Sequence, residues 1–250
     1  RYFGSNKVKA SFKVVTDWLW KQIMNDEQRA SMSRYVPVEF LSFDMDDLGF
    51  VYTVSNQKGD AHSRLAKFNF LSDNVVPSQK KFGDLESTTD SGYVYTYPID
   101  VSVDDSGCIS VLDFERGRVF RYSSEMELLF VFGRTGKGIA GTLVSPAAVD
   151  NYKDKTLVLD SAAVTVTEFS PNGFGRKVSS ALELYQSGQY EASIEPWREI
   201  AAVSEQFTLA YSGMADAEYM LGNYESAMNN YKAADDREGY LRAFRMYRTE

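Results

Sequence analysis

Two kinds of hydrophobic spacing divide this chain. From Tyr97 to Gly133 apolar and polar residues alternate in short runs separated by Asp104-Asp105-Ser106-Gly107 and Glu115-Arg116-Gly117. Alternation bounded by turn residues predicts three half-buried strands, and Leu128 to Phe132 adds a fourth that stops at Gly133. The same order recurs from Pro37, through Phe43-Asp44-Met45-Asp46-Asp47-Leu48-Gly49-Phe50 and then Arg64 to Phe68. A third copy starts at Ser145-Pro146 and runs through Val149-Asp150, Leu157 to Asp160 and Val164 to Phe169. Four short strands per unit, repeated along a chain, predict the blades of a β-propeller.

The spacing changes in two other stretches. Val14, Val15, Trp18, Leu19, Ile23 and Met24 fall at helical intervals, and Asn25 to Gln28 has the form of a capping box, so a helical insertion is expected over about 11–34. After Pro171-Asn172-Gly173 the helical period takes over for good. Gly188-Gln189-Tyr190-Glu191 and Gly222-Asn223-Tyr224-Glu225 stand 34 positions apart, the period of tetratricopeptide (TPR) repeats. Aligning on those glycines pairs Ala181 with Ala215, Ser193 with Ala227 and Trp197 with Tyr231, the small and aromatic positions where paired helices interlock. Leu184 against Glu218 breaks the match, and Pro196 is expected to bend its helix or leave a carbonyl unpaired. The expected fold class is thus mainly β with α: a partial propeller over 1–172, with its helical insertion, and a short TPR α-solenoid over 173–250.

The middle β unit resembles the NHL repeat, which opens with a proline, turns at an aspartate-glycine pair and carries an Asp and then an Arg before its third strand. Pro98, Asp105, Gly107, Asp113 and Arg118 fill those places. The first unit has an insertion around Asn56 to Ser63, and the third has Thr165 where the arginine belongs. Tyr2-Phe3-Gly4 matches the unit end Val131-Phe132-Gly133, which leads us to expect further blades before Arg1. The order of blades, insertion, blades and TPR helices is similar to that of extracytoplasmic proteins of Gram-positive bacteria that continue into a Yip-type membrane domain. That resemblance implies an extracellular, cell-surface, membrane-associated protein, an accessory of sugar ABC transporters with transporter subunits as partners.

Composition narrows the chemistry. A net charge of −8 and a pI near 4.9 disfavour nucleic acid or an anionic membrane surface as the main partner. One cysteine, Cys108, excludes an internal disulfide, and one histidine, His62, leaves few ligands for a transition metal. No cofactor or metal is expected. Gly133-Arg134-Thr135-Gly136-Lys137-Gly138 has the glycines and lysine of a phosphate loop without its spacing, and Gly138 stands where a Ser or Thr would bind magnesium. Asp46-Asp47 and Asp104-Asp105 read as turn caps rather than calcium ligands. Asp113 and Arg118 read as a structural pair. His62 has no nucleophile elbow near it.

These observations lead to the expectation of a non-enzymatic scaffold that binds a protein partner. Trp20, Trp197 and Tyr231 are candidate partner contacts. The alternative is a glycan or small-ligand sensor in which Tyr93, Tyr95 and Tyr97 stack on sugar rings, although the same alternation is also that of one strand face. A propeller hydrolase or lactonase is the third reading.

Overall fold

The computed structural model describes residues 40–56, 64–84, 87–89 and 92–249. The expected helical insertion, Trp18, Trp20, Asn25 to Gln28, His62 and Tyr2 to Gly4 all lie outside the described residues. The described chain is mixed β and α, with antiparallel sheets followed by five helices.

Three sheets follow in order. The first holds β1 (Phe40–Met45), β2 (Val51–Ser55) and β3 (Leu65–Phe68). A small hairpin of β4 (Ser87–Thr89) and β5 (Gly92–Val94) precedes the second sheet. That sheet is a four-stranded meander of β6 (Pro98–Val103), β7 (Ile109–Asp113), β8 (Arg118–Tyr122) and β9 (Leu128–Phe132). The parallel pair β10 (Arg134–Thr135) and β11 (Thr142–Leu143) leads into the third sheet, β12 (Pro146–Tyr152), β13 (Lys155–Asp160) and β14 (Thr165–Phe169).

The expectation of four strands per unit holds only in the middle one among the described residues. In the first unit Asn69 closes a turn with Ser72 and Asp73, and one bridge from Phe68 to Asn74 is all that remains of a fourth pairing. In the third, the chain meets Pro171, which has no N–H to donate, and then Asn172, whose side chain caps the first helix.

A shared irregularity fixes the register. The ladder slips between Phe40 and Ser42, between Pro98 and Asp100, and between Pro146 and Ala148. A bulge at the same place in each unit puts Ser42, Asp100 and Ala148 in equivalent positions. The inner strand β6 packs between β1 and β12. One apolar core, including Tyr52, Val54, Leu65, Val101, Val111 and Phe120, joins the first sheet to the second. Another, of Leu112, Val119, Leu143, Val149 and Val158, joins the second to the third.

The helices are α1 (Gly173–Gln186), α2 (Tyr190–Val203), α3 (Thr208–Met220), α4 (Tyr224–Ala233) and α5 (Arg237–Tyr247). Each packs on the next, and α3 also touches α5. The turns α1–α2 and α3–α4 are alike: Gly188 and Gly222 take φ of 78° and 82°, and the following residues, Gln189 and Asn223, donate back to Leu184 and Glu218. This is the Schellman form that glycine permits. The α4–α5 turn repeats it with Asp235 at φ 57°, and Asp236 Oδ1 accepts from Gly239 N. Pro196 stands inside α2 without ending it.

Chain order places α1 directly after the third sheet, yet the helices pack on the middle sheet. Cys108, Leu129 and Phe130 join Val178, Ala181 and Trp197 in one core, and Gln186 donates to Ser124 at 3.4 Å. Phe169 is taken up elsewhere, 5.1 Å from Phe132, while Phe174 meets Phe207 at 5.3 Å.

Candidate functional site

Three polar constellations and one cavity stand out. At the corner of the middle sheet, Asp113 is fully buried and accepts from Tyr97 N at 2.9 Å and from Arg118 Nη2 at 3.1 Å. Arg118 also reaches Asp84 at 2.5 Å, and Arg116 approaches the same carboxylate at 3.3 Å. Burial raises the Asp113 pKa above the ordinary carboxylate value, against the pull of these donors. The expected structural pair is present, and Asp84, which no sequence pattern marked, completes it. In the third unit Asp160 pairs with Thr165 and has no arginine partner among its hydrogen bonds. Burial disfavours its charge too, but N–H groups of Ala163, Val144, Ser145 and Ala162 outweigh it and hold the pKa below the usual value.

At the opposite end of these strands, Arg121 pairs with Asp104 and donates to Ser110 at 2.8 Å and to Asn151 at 3.0 Å. Asn151 in turn donates to Ser102 Oγ at 3.1 Å. The guanidinium is satisfied from several sides, so the network works as an inter-sheet strut. Asp104 Oδ1 accepts from Ser106 N and Cys108 N, and Asp46 Oδ1 from Phe50 N, the turn caps expected of both acidic pairs. Burial pushes the Cys108 thiol up to about 11, which leaves it a packed, unreactive group. Among the described residues no cluster of three or more His, Cys, Asp or Glu could hold a metal ion.

The third constellation lies on the helices. Tyr231 donates to Asp216 at 2.6 Å, and Arg242 Nη2 donates to both Tyr231 Oη at 2.6 Å and Asp216 at 3.0 Å. The guanidinium lies 4.8 Å from the Tyr219 ring centre and 5.6 Å from that of Tyr231. Burial comes first in raising the Asp216 pKa and in raising that of Tyr231, to which the Asp216 charge adds. Arg242 and Asp216 keep about half their side chains in solvent, so α3 and α5 present a charged and aromatic patch. Sequence reading missed Asp216 and Arg242, whose spacing follows the shortened α4 rather than the 34-residue period.

The cavity, about 600 Å³, lies between the Gly136 to Thr142 loop and the β13–β14 turn, with Lys137, Ile139, Val144 and Ala163 among its walls. Its glycines shape a turn beside β11 and lead into a strand pair, not a helix.

The candidate contact residues are scattered. Trp20 is outside the described residues, and Tyr93 lies in β5 opposite Thr88. Tyr95 and Tyr97 are half-buried and meet edge to face at 6.2 Å, with Phe114 next in line, so they form a packed row rather than an open stacking platform. Trp197 and Tyr231 require correction. Both are buried, because each fills the space over a glycine of the next helix, Gly213 and Gly239 respectively, and neither ring is open to a partner.

No protein-family model matches the chain, whether for NHL or TPR repeats or any other family. No curated protein matches it either. Among solved structures it is similar to a streptogramin B lyase, with 11% identity, a TM-score of 0.31 and coverage of 54% of this chain and 41% of that one. A virginiamycin B lyase from Staphylococcus aureus matches with 11% identity and a TM-score of 0.25, covering 55% and 57%. A catalytically inactive form of that enzyme with quinupristin matches with 10% identity and a TM-score of 0.26, covering 56% and 58%. The chain spans about half the length of these structures. The neighbours are enzymes, so the expectation of a non-enzymatic chain is withdrawn. At these TM-scores the likeness transfers no activity, substrate or site.

Proposed function

We propose that this chain is a protein-docking scaffold in which the three sheets are blades of an NHL-type β-propeller and the five helices a short TPR array. The observation that carries the reading is the half-exposed cluster of Tyr219, Asp216 and Arg242 on α3 and α5. Tyrosine and arginine anchors held in fixed geometry are the chemistry that protein interfaces favour. The joint of Leu129 and Phe130 with Val178 supports a fixed direction for that patch, since the helices rest on the middle sheet through an apolar core. The exposed Leu241, Phe244, Met246 and Tyr247 on α5 widen the same end of the array.

The resemblance to extracytoplasmic proteins of Gram-positive bacteria extends the proposal to a cell-surface, membrane-associated setting with sugar-transporter subunits as partners. Affinity purification of the full-length protein from native membranes tests it. Recovery of transporter subunits in fixed ratio with the native chain, and their loss with the Tyr219→Ala/Arg242→Ala double variant, is the expected result. Recovery of the protein alone, or equal recovery with the variant, would count against it.

A further inference from the structure

The third unit keeps a turn of the second but not the side chains that fill it. The β7–β8 and β13–β14 turns have one shape: Asp113 accepts from Glu115 N and Asp160 from Ala162 N, while Gly117 and Val164 take φ of 58° and 54°. Position by position, Arg116 gives way to Ala163 and Arg118 to Thr165. In the second unit both arginines reach across to Asp84, on the connection that leads into that unit. The connection into the third unit begins with the same Phe-Gly step, Phe132-Gly133 for Phe82-Gly83, and continues with Arg134 where the earlier one has Asp84. Its next cation is Lys137, which lines the cavity between loop and turn.

The third unit therefore lacks the ion bridge of the second, and the charge on its connection is reversed. A cavity of about 600 Å³ stands at that place, a size that suits a small molecule. Among the described residues Lys137 has no carboxylate partner and the Thr165 hydroxyl no hydrogen-bond partner. Asp160 lies close but is buried, and its oxygens are taken by the N–H groups of Val144, Ser145, Ala162 and Ala163. The loop has little else to donate, since Gly136 N is spent on Leu143 O and the Thr142 hydroxyl on Ile139 O. One ammonium and one hydroxyl match a single carboxylate better than a phosphate, whose three oxygens call for more donors.

We propose that this cavity binds a small carboxylate with a short apolar body. Lys137 pairs with its charge, Thr165 donates to it, and the hydrocarbon lies against Ile139, Val144 and Ala163. The site is separate from the α3–α5 patch, so its test stands apart from the scaffold proposal.

Titration of the 250-residue protein with hexanoate, followed by NMR, should give saturable shifts confined to residues 136–144 and 162–165. Hexanol and inorganic phosphate should give no such saturation. Lys137→Gln should weaken hexanoate about tenfold, the loss of one charge-assisted bond. Ala163→Phe, at an exposed turn position, should block the cavity. Both variants should keep the circular dichroism of the native chain. Shifts that spread without saturating would overturn the proposal. So would hexanol or phosphate binding there as tightly as hexanoate, or a Lys137→Gln variant that binds hexanoate like the native protein.

Discussion

The sheets and the helices are repeats of different kinds, and they are cemented differently. Beside the apolar cores, the polar ties between sheets are carboxylates: Asp44 accepts from Val103 N at 2.7 Å, and Asp100 accepts from Val149 N at 2.7 Å and from the Ser42 hydroxyl at 2.5 Å. Between helices, beside the bonds of Asp216 with Tyr231 and Arg242, rings are seated on glycines. A Cβ on Gly213 would lie 2.5 Å from Trp197, and one on Gly239 would lie 2.4 Å from Tyr231. A strand leaves backbone N–H groups at its rim that a carboxylate can satisfy, whereas a helix has spent its own and must interlock by shape. The β half should therefore be sensitive to charge and pH, and the α half to side-chain volume.

The largest effect that would sharpen this contrast is expected from Trp197→Ala. Removing a fully buried indole should cost about 4 kcal/mol, read as a lower urea midpoint. Asp113→Ala should cost about 3 kcal/mol, because it leaves Arg118 without its buried partner and Tyr97 N without an acceptor. A smaller loss would mean that Asp84 alone holds the arginine. Gly213→Ala adds a methyl where the Trp197 ring already sits and should cost about 2 kcal/mol, while Gly222→Ala, in open space at positive φ, should cost about 1 kcal/mol. The reverse order would break the claim that glycine serves packing at one site and the turn at the other.

The smallest effect is in the titrations of Asp113 and Asp160, equivalent residues shifted in opposite directions. Carbon-detected NMR should show Asp160 titrating below the ordinary value near ~3.9 and Asp113 above it. The signs follow from which state binds protons more tightly. The Asp160 contribution is present above the unfolded pKa and is lost as pH falls through its lower folded value. The Asp113 contribution is present below the unfolded pKa and declines as pH rises through its raised folded value. Equal pKa values would show that the arginine and the four amides are equivalent supports.

Much of the β architecture was legible because alternation and turn residues are local signals. The turns at Asp46 and Asp104 could be read from spacing, and the places of Asp113, Arg118 and Thr165 from the resemblance to the NHL repeat. That the described residues form no fourth strand in the first and third units was less visible, since it depends on where Asn69 and Pro171 redirect the chain. In the helices the 34-residue period located Gly188, Gly222 and the small residues Ala181 and Ala215, both buried. The same period led to Trp197 and Tyr231 as contacts, although a large ring at that position points between helices. Asp216 and Arg242 come together across α3 and α5, a proximity that no local pattern encodes. The docking of α1 on β9 rather than on the third sheet is likewise a tertiary choice, made by Leu129 and Phe130.

That joint carries the account, because a scaffold with a fixed docking patch requires that the helices not move independently of the sheets. Amide hydrogen exchange through a urea series, resolved by peptide, measures it directly. The account predicts that peptides covering β7 to β9 and those covering α1 to α3 lose protection together at one midpoint, which Phe130→Asp then splits into two. Two separate midpoints in the native protein would contradict it.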